Sequence, residues 1–324
     1  MSSLQLTSRR FLALPSSIRS LITTQNHDLR ALPSSNPATG AHRHYATYNT
    51  TFTAASPEPK SSSPHSSVNH TEVSHFNALA ASWWDPHGSS RLLHLMNPLR
   101  HDFIQRCKET RIQEEGQKMR ILDIGCGGGI FAESAARLSS TASVTAIDPT
   151  PEVIAIARKH ARTDPKLMEE GRLTYLNTAI ENLPLPSSPQ EGFDVITVFE
   201  VIEHIQQPVP FLRAVLKHLK PGGWLIGSTI ARTGVSWLTT KFVAEEVLRV
   251  VPRGTHEWSQ YIQPSEMREW AKYEDGVDVG VDGRGWQVMG VVYVPGLGWK
   301  EVSGSADWGN YFFGVRKLGV GESK

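Results

Sequence analysis

Cysteine is scarce: Cys107 and Cys126 are the only two among 324 residues. A disulfide framework needs more pairs than that. Cys126 also lies inside a glycine run, so a reducing compartment is expected. Long apolar runs are missing as well, and no stretch reaches the ~18 uncharged residues of a transmembrane span. Neither sign of charge dominates. A formal net charge of +1 argues against a dedicated nucleic-acid binder, which normally carries a strong basic excess. No repeat of fixed period occurs, which excludes a solenoid.

Acidic residues are nearly absent from the start of the chain. Asp28 is the only one before Glu58, while Arg9, Arg10, Arg19, Arg30 and Arg43 are scattered among serines, threonines and prolines. Arg-rich, Ser-rich and acid-poor is the composition of an organelle transit peptide. Leu4, Phe11, Leu14, Ile18 and Leu21 can share one helical side, although Pro15 interrupts it. Residues 1–66 therefore read as a mitochondrial targeting segment, cleaved somewhere between Tyr45 and Ser63. A disordered tail is the plainer alternative. A secretory signal fits worse, for want of an apolar core before a small-residue cleavage site.

What the chain does have begins at Arg120-Ile121-Leu122-Asp123-Ile124-Gly125-Cys126-Gly127-Gly128-Gly129. An apolar strand, a glycine turn and a helix running from Ile130 towards Leu138 make a nucleotide cradle, with helix N–H groups near a closely approached backbone. A second strand, Ser143 to Ile147, ends at Asp148, where ribose hydroxyls are held in such sheets. The dinucleotide spacing G-x-G-x-x-G fails from Gly125, where Ile130 stands last. From Gly127 it survives only with Ala132, a tolerated variant. An NAD reading is thus disfavoured but alive, beside a purely structural turn.

Strand and helix then alternate, which predicts a doubly wound, mostly parallel α/β sheet. A helix is expected over Pro151–Ala161, with proline in its first turn, and a third strand over Leu173–Asn177. The fourth strand is Phe193–Phe199, followed by a helix over Pro210–Leu219. Lys220-Pro221-Gly222-Gly223 reads as its stop, and Trp224–Thr229 as the fifth strand. Gln287–Val294 and Asn310–Val315 read as a closing antiparallel pair. Before the core, Thr71–Trp84 reads as an amphipathic cap helix. Trp83 and Trp84 are costly to leave exposed. Arg100, after what reads as a Pro-bearing turn, is a candidate clamp for a carboxylate.

Glu200, Glu203 and His204 follow the fourth strand at the ligand-binding edge of the sheet. If Glu200 begins a helical turn, the three share one face, and two carboxylates with an imidazole make a candidate metal site. Mn²⁺ or Zn²⁺ is compatible with that donor set on ligand chemistry alone. The plain alternative is that Glu203 and His204 only cap the next turn. A third has His204 as a general base without metal, its ordinary pKa of ~6.5 being suited to that work. Gly234–Tyr273 is longer than a crossover requires. Trp237, Leu238, Phe242, Val243, Val247 and Leu248 are apolar there, beside Lys241, Glu245 and Arg249. That pattern suits a core helix or one lying in a membrane interface. Asp275–Gly285 reads as a Gly-rich loop.

Several blocks together resemble the ubiquinone-biosynthesis O-methyltransferases. They are His75-Phe76-Asn77-Ala78-Leu79-Ala80 with Trp83-Trp84-Asp85, Leu93-His94-Leu95-Met96-Asn97-Pro98-Leu99-Arg100, the glycine motif, Glu200-Val201-Ile202-Glu203-His204, Ser236-Trp237-Leu238 and Val251-Pro252-Arg253-Gly254-Thr255-His256. The resemblance covers roughly Val68–Trp270 and the final strands. It implies a class I methyltransferase fold: a seven-stranded, Rossmann-like sheet with an N-terminal helical cap and an amphipathic insertion after the fifth strand, in a domain over 67–324. It implies S-adenosylmethionine at Arg100, Gly125, Asp148 and Phe199, the last where relatives often carry methionine. It favours Mg²⁺ at Glu200, Glu203 and His204. Further implications are a polyprenylated catechol or quinol substrate, peripheral contact with the matrix side of the mitochondrial inner membrane through 237–258, and a complex with other ubiquinone-biosynthesis proteins. Other readings are a class I enzyme for a soluble phenol or carboxylate, and a non-catalytic assembly subunit. The latter is disfavoured because Gly125, Asp148, Glu200 and His204 are all present.

Overall fold

A computed structural model describes residues 66–68, 82–85, 87–88, 90–110, 116–233, 261–280 and 284–323. The expected transit segment, most of the expected cap helix and the apolar stretch 237–258 lie outside the described residues. A nine-stranded sheet forms the centre, in the order β3-β2-β1-β4-β5-β9-β7-β8, with the short β6 also pairing β9. Its strands are β1 (Met119–Ile124), β2 (Thr141–Asp148), β3 (Leu173–Asn177), β4 (Phe193–Phe199), β5 (Leu219–Ile230), β6 (Val277–Asp278), β7 (Trp286–Val294), β8 (Gly298–Glu301) and β9 (Asn310–Lys317). β1 to β5 pair in parallel, and β9 enters antiparallel between β5 and β7. All seven expected strands are present; β6 and β8 are additions. β6 lies within the stretch read from sequence as a Gly-rich loop.

Because helices cover both faces, the central strands are nearly continuous apolar runs. Alternation sorts their side chains. Ile121, Val144, Ala146, Val195 and Ile226 meet α1 (Arg91–Glu109), α2 (Ile130–Ala136) and α3 (Pro151–Ala161) on one face. Leu122, Ile124, Ile147, Ile196 and Val198 meet α4 (Pro208–His218) and α5 (Pro264–Tyr273) on the other. By the same alternation Asp123, Thr197 and Phe199 belong to the α1 face. Strand order reverses at β1 and β4, which opens a crevice at their carboxyl ends.

Two elements differ from the sequence reading. The block around Pro98 is not a turn: Pro98 lies inside α1, on its exposed side, where solvent can serve the carbonyl that lacks its usual donor. Met96, Arg100, Phe103, Ile104 and Cys107 form the buried side of that helix. The expected helix stop at 220–223 is instead an irregularity within β5. Phe193 pairs Leu219, and the next pair is Val195 with Trp224. Gly222, at φ +80°, makes the bend that returns the strand to register. Tertiary pairing overrides the local signal there.

Candidate active site at the carboxyl edge of the sheet

The turn after β1 is drawn tight by backbone donors. Gly125 N and Cys126 N donate to the Ile147 carbonyl at 2.8 and 3.1 Å, tying β1 to β2. Gly127 N donates to Asp148 Oδ2 at 3.0 Å, and Thr150 N to Oδ1 at 2.9 Å. Asp148 is thus fixed at the end of β2, with burial raising its pKa and those N–H donors opposing the rise. Gly125 adopts φ +67°, and a Cβ there would stand 2.5 Å from Val201 Cγ2 in the loop after β4. That position tolerates only glycine, on conformation and on space alike.

Arg100 reaches the crevice from the buried side of α1, and only 4% of it is exposed. Its guanidinium lies 4.9 Å above the Phe199 ring, and its Nη1 donates to Asn97 Oδ1 at 3.1 Å. Asn97 in turn donates to the Ile130 carbonyl at 3.0 Å, locking α1 onto the first residue of α2. Burial pulls the Arg100 pKa down, while Glu200 and Asp123 favour its charged form. Phe199 packs edge-on against Phe131, with centroids 4.8 Å apart. Phe199 is thus an aromatic platform for Arg100.

Asp123 was not singled out from sequence, yet it completes this cluster. It is buried on β1, accepts from Thr197 Oγ1 at 2.7 Å, and is pushed up to about 7 by burial, against the pull of Thr197 and Arg100. A signal was available: an acid in an otherwise apolar buried strand is rare without a partner or a task. Among the described residues, Asp123 Oδ2 and Arg100 Nε have no hydrogen-bond partner. Buried polar atoms are seldom left so. A carboxylate and a guanidinium, each with an open valence, match the ammonium and carboxylate of an amino acid. The residues present thus fit the methionine part of S-adenosylmethionine.

Trp83 covers the glycine turn. A Cβ on Gly127 or Gly128 would meet its indole at 2.2 Å. Trp84 Nε1 donates to the Gly128 carbonyl at 2.9 Å.

The trio after β4 does not have the expected geometry. Glu200 is not the start of a helical turn: it sits at φ 56°, before a 3-10 turn over Ile202–His204. It cannot share a helix face with Glu203 and His204. Glu200 Oε1 accepts from Ser228 Oγ at 2.7 Å, and Glu203 Oε2 from Thr229 Oγ1 at 3.0 Å. Glu203 is buried and lifted to about 7 by that burial, with the Glu200 charge adding to the rise and His204 opposing it. His204 is half-buried. Among the described residues no three His, Cys, Asp or Glu side chains converge on a point where an ion could be held. The donor chemistry suits a divalent cation; the geometry of this conformation does not.

Comparisons with known proteins agree with this architecture. A family model described as a methyltransferase domain matches residues 91–275. The mitochondrial ubiquinone biosynthesis O-methyltransferase of Candida albicans is 40% identical over 290 residues, covering 78% of this chain and 86% of that protein. Its namesake in Schizosaccharomyces pombe is 47% identical over 211 residues, 65% of this chain and 73% of that one. Among solved structures, a plantazolicin methyltransferase bound to SAH superposes with a TM-score of 0.51 at 18% identity, covering 76% of this chain and 97% of the other, a likeness of fold alone. With glycine turn, acid-tipped second strand and buried arginine arranged as described, the chain belongs to the ubiquinone biosynthesis O-methyltransferase family and is a class I S-adenosylmethionine-dependent O-methyltransferase.

Proposed function

We propose that the chain methylates a phenolic oxygen of polyprenylated catechol and demethylubiquinol intermediates in ubiquinone biosynthesis. The observation that carries the cosubstrate half is the pair of open, buried atoms Arg100 Nε and Asp123 Oδ2 beside the glycine turn. They suit a zwitterionic amino acid, whereas an acid at that place would repel a pyrophosphate. The substrate half is supported by the relatives' names and by the sequence blocks shared with that family.

S-adenosylmethionine supplies a methyl group already activated as a sulfonium. The protein's own task is alignment and proton management. Arg100, held over the Phe199 ring, orients the carboxylate of the methionine part, and Asp123 its ammonium. Asp148 receives the ribose hydroxyls, and Trp83 keeps water from the turn. A protonated phenol, of pKa near ~10, is a poor nucleophile. His204, half-buried at the same edge with Glu203 behind it, takes the phenolic proton.

Divalent-metal assistance by Mg²⁺, Mn²⁺ or Zn²⁺ is the finer reading of the same trio, supported by its donors and by the mutual charge of Glu200 and Glu203. An ion there would supply acidification of the phenol, and it requires Glu200, Glu203 and His204 to draw closer than they stand. The acid-poor leader supports a mitochondrial location, as do the relatives named mitochondrial. Among the described residues no helix is long and apolar enough to cross a membrane. Peripheral inner-membrane contact through 237–258, and assembly with other ubiquinone-biosynthesis proteins, complete the proposal. The test is calorimetric titration of the chain with S-adenosylmethionine and NAD, then methylation of a short-prenyl catechol and a soluble catechol, with Mg²⁺ and with chelator. NAD binding in place of S-adenosylmethionine overturns the reading. Preference for the soluble catechol overturns the substrate class. Chelator sensitivity moves His204 from base to ligand.

A further inference from the structure

His160, on α3, belongs to none of the motifs above. Its side chain is 32% exposed, so burial of apolar surface does not explain its setting. Its Nδ1 lies 2.9 and 3.0 Å from the two oxygens of Glu133, whose side chain is wholly buried. A carboxylate only accepts, so Nδ1 carries the proton in this contact. Arg137 closes the other side of Glu133 at 2.9 Å and bridges on to Asp164 at 2.7 Å. A buried carboxylate is costly unless it is paired, and here its pairing fixes the plane of one imidazole.

That plane is occupied. The His160 ring stacks on Trp84 with centroids 3.4 Å apart and 5° between the rings. His94 meets the same indole edge-on at 5.1 Å, and its Nε2 is 3.0 Å from the Trp83 carbonyl. The Trp84 N–H ends on Gly128, while the Trp83 indole lies against Gly127 and Gly128. A continuous line of contacts runs from Glu133 through His160 and Trp84 to the backbone of the cofactor turn.

We propose that His160 is a positioning residue for the cofactor. Stacked on Trp84 and held by Glu133, it clamps the tryptophan pair onto the glycine turn and slows cofactor dissociation without touching the cofactor. The inference rests on the reading that S-adenosylmethionine binds at that turn. An aromatic pair of this kind corresponds to a change of roughly two- to tenfold in a rate or equilibrium constant.

The experiment measures dissociation of S-adenosylhomocysteine from the full chain by stopped flow, following indole fluorescence. The variants are His160→Ala, His160→Phe, Trp84→Leu and the double variant His160→Ala/Trp84→Leu. His160→Ala should speed dissociation roughly two- to tenfold, with KM for the cofactor rising more than kcat changes. His160→Phe, which keeps a stacking ring but loses the bond to Glu133, should bring the rate part of the way back towards wild type. In the Trp84→Leu background the histidine change should have no further effect. An unchanged rate in His160→Ala overturns the proposal, as does the same acceleration with Trp84 already removed. Should His160→Ala not fold, His160→Gln keeps a donor for Glu133 while dropping the ring, and it must show the same acceleration. A wild-type chain that binds neither S-adenosylmethionine nor S-adenosylhomocysteine sinks the underlying reading instead.

Discussion

Replacing Asp123 by Asn tests whether the buried acid serves the cofactor at the expense of the empty fold. Its pKa stands at about 7 against an ordinary 3.8, burial being the main cause. In the unfolded chain the carboxyl ionises near its ordinary value. Between the two values the folded state therefore holds a proton that the unfolded state has lost. Folding stability accordingly falls as pH rises from about 4 to about 7, then levels off. At about 1.4 kcal/mol per unit, the charged, buried carboxylate destabilises the empty protein at pH 8 by on the order of 4 kcal/mol, a ceiling because local relaxation softens it. Asn keeps an acceptor for Thr197 and carries no charge. Urea denaturation without cofactor should show Asp123→Asn more stable than wild type at pH 8, with the gap narrowing towards pH 4. The same change removes the charge-assisted bond proposed between Asp123 and the ammonium. Such a bond contributes about 1.5–3 kcal/mol, so affinity for S-adenosylhomocysteine by calorimetry should drop roughly 10- to 100-fold. A variant less stable than wild type at pH 8, or one that binds as tightly, refutes the reasoning.

Three further outcomes follow from the geometry. Gly128→Ala places a methyl 2.2 Å from the Trp83 ring; it should cost about 1–3 kcal/mol in a thermal melt and expose the indole to a fluorescence quencher. His204→Ala should lower kcat roughly 100-fold or more while leaving cofactor affinity within about twofold by calorimetry; lost affinity would assign His204 to the cofactor. Arg106→Ala removes a bidentate pair with Glu301, but both side chains are 42% exposed, so denaturation should register under about 1 kcal/mol.

Much of the sheet was legible because buried parallel strands are written as apolar runs closed by turn residues. The boundaries of β3, β4 and α3 match the sequence reading, the other expected strands and helices differ at their ends, and α1, α5, β6 and β8 were not expected. α1 was missed because Pro98 weighs heavily in any local reading, while the force that keeps the helix, burial of Met96, Phe103 and Ile104, comes from strands far along the chain. The bulge in β5 was missed for a related cause: Pro-Gly-Gly reads as a stop, and only pairing with β4 shows the strand resuming. In the site, the glycine turn, Asp148 and Arg100 were visible in the sequence, Arg100 as following a turn where the structure has helix α1. Asp123 was hidden in plain view within a motif noticed for its glycines. The spacing of Glu200, Glu203 and His204 suggested a shared helical face, but one left-handed residue, Glu200, broke the periodicity on which that depends.

Arg100 stands before the sheet in the sequence, yet α1 is moored by its end. Trp299 Nε1 donates to the Leu92 carbonyl at 2.9 Å, and Arg106 reaches Glu301 at 2.8 Å, both partners lying on β8. The helix that brings the guanidinium to the crevice thus leans on one of the last hairpins to leave the ribosome. A nascent chain can close β1 to β4 around the glycine turn before that hairpin exists, and its arginine then has Asn97 and Phe199 beside it but not the β8 contacts that hold the rest of α1. The last contacts that fix the helix carrying Arg100 therefore form only once the chain has been made through β8.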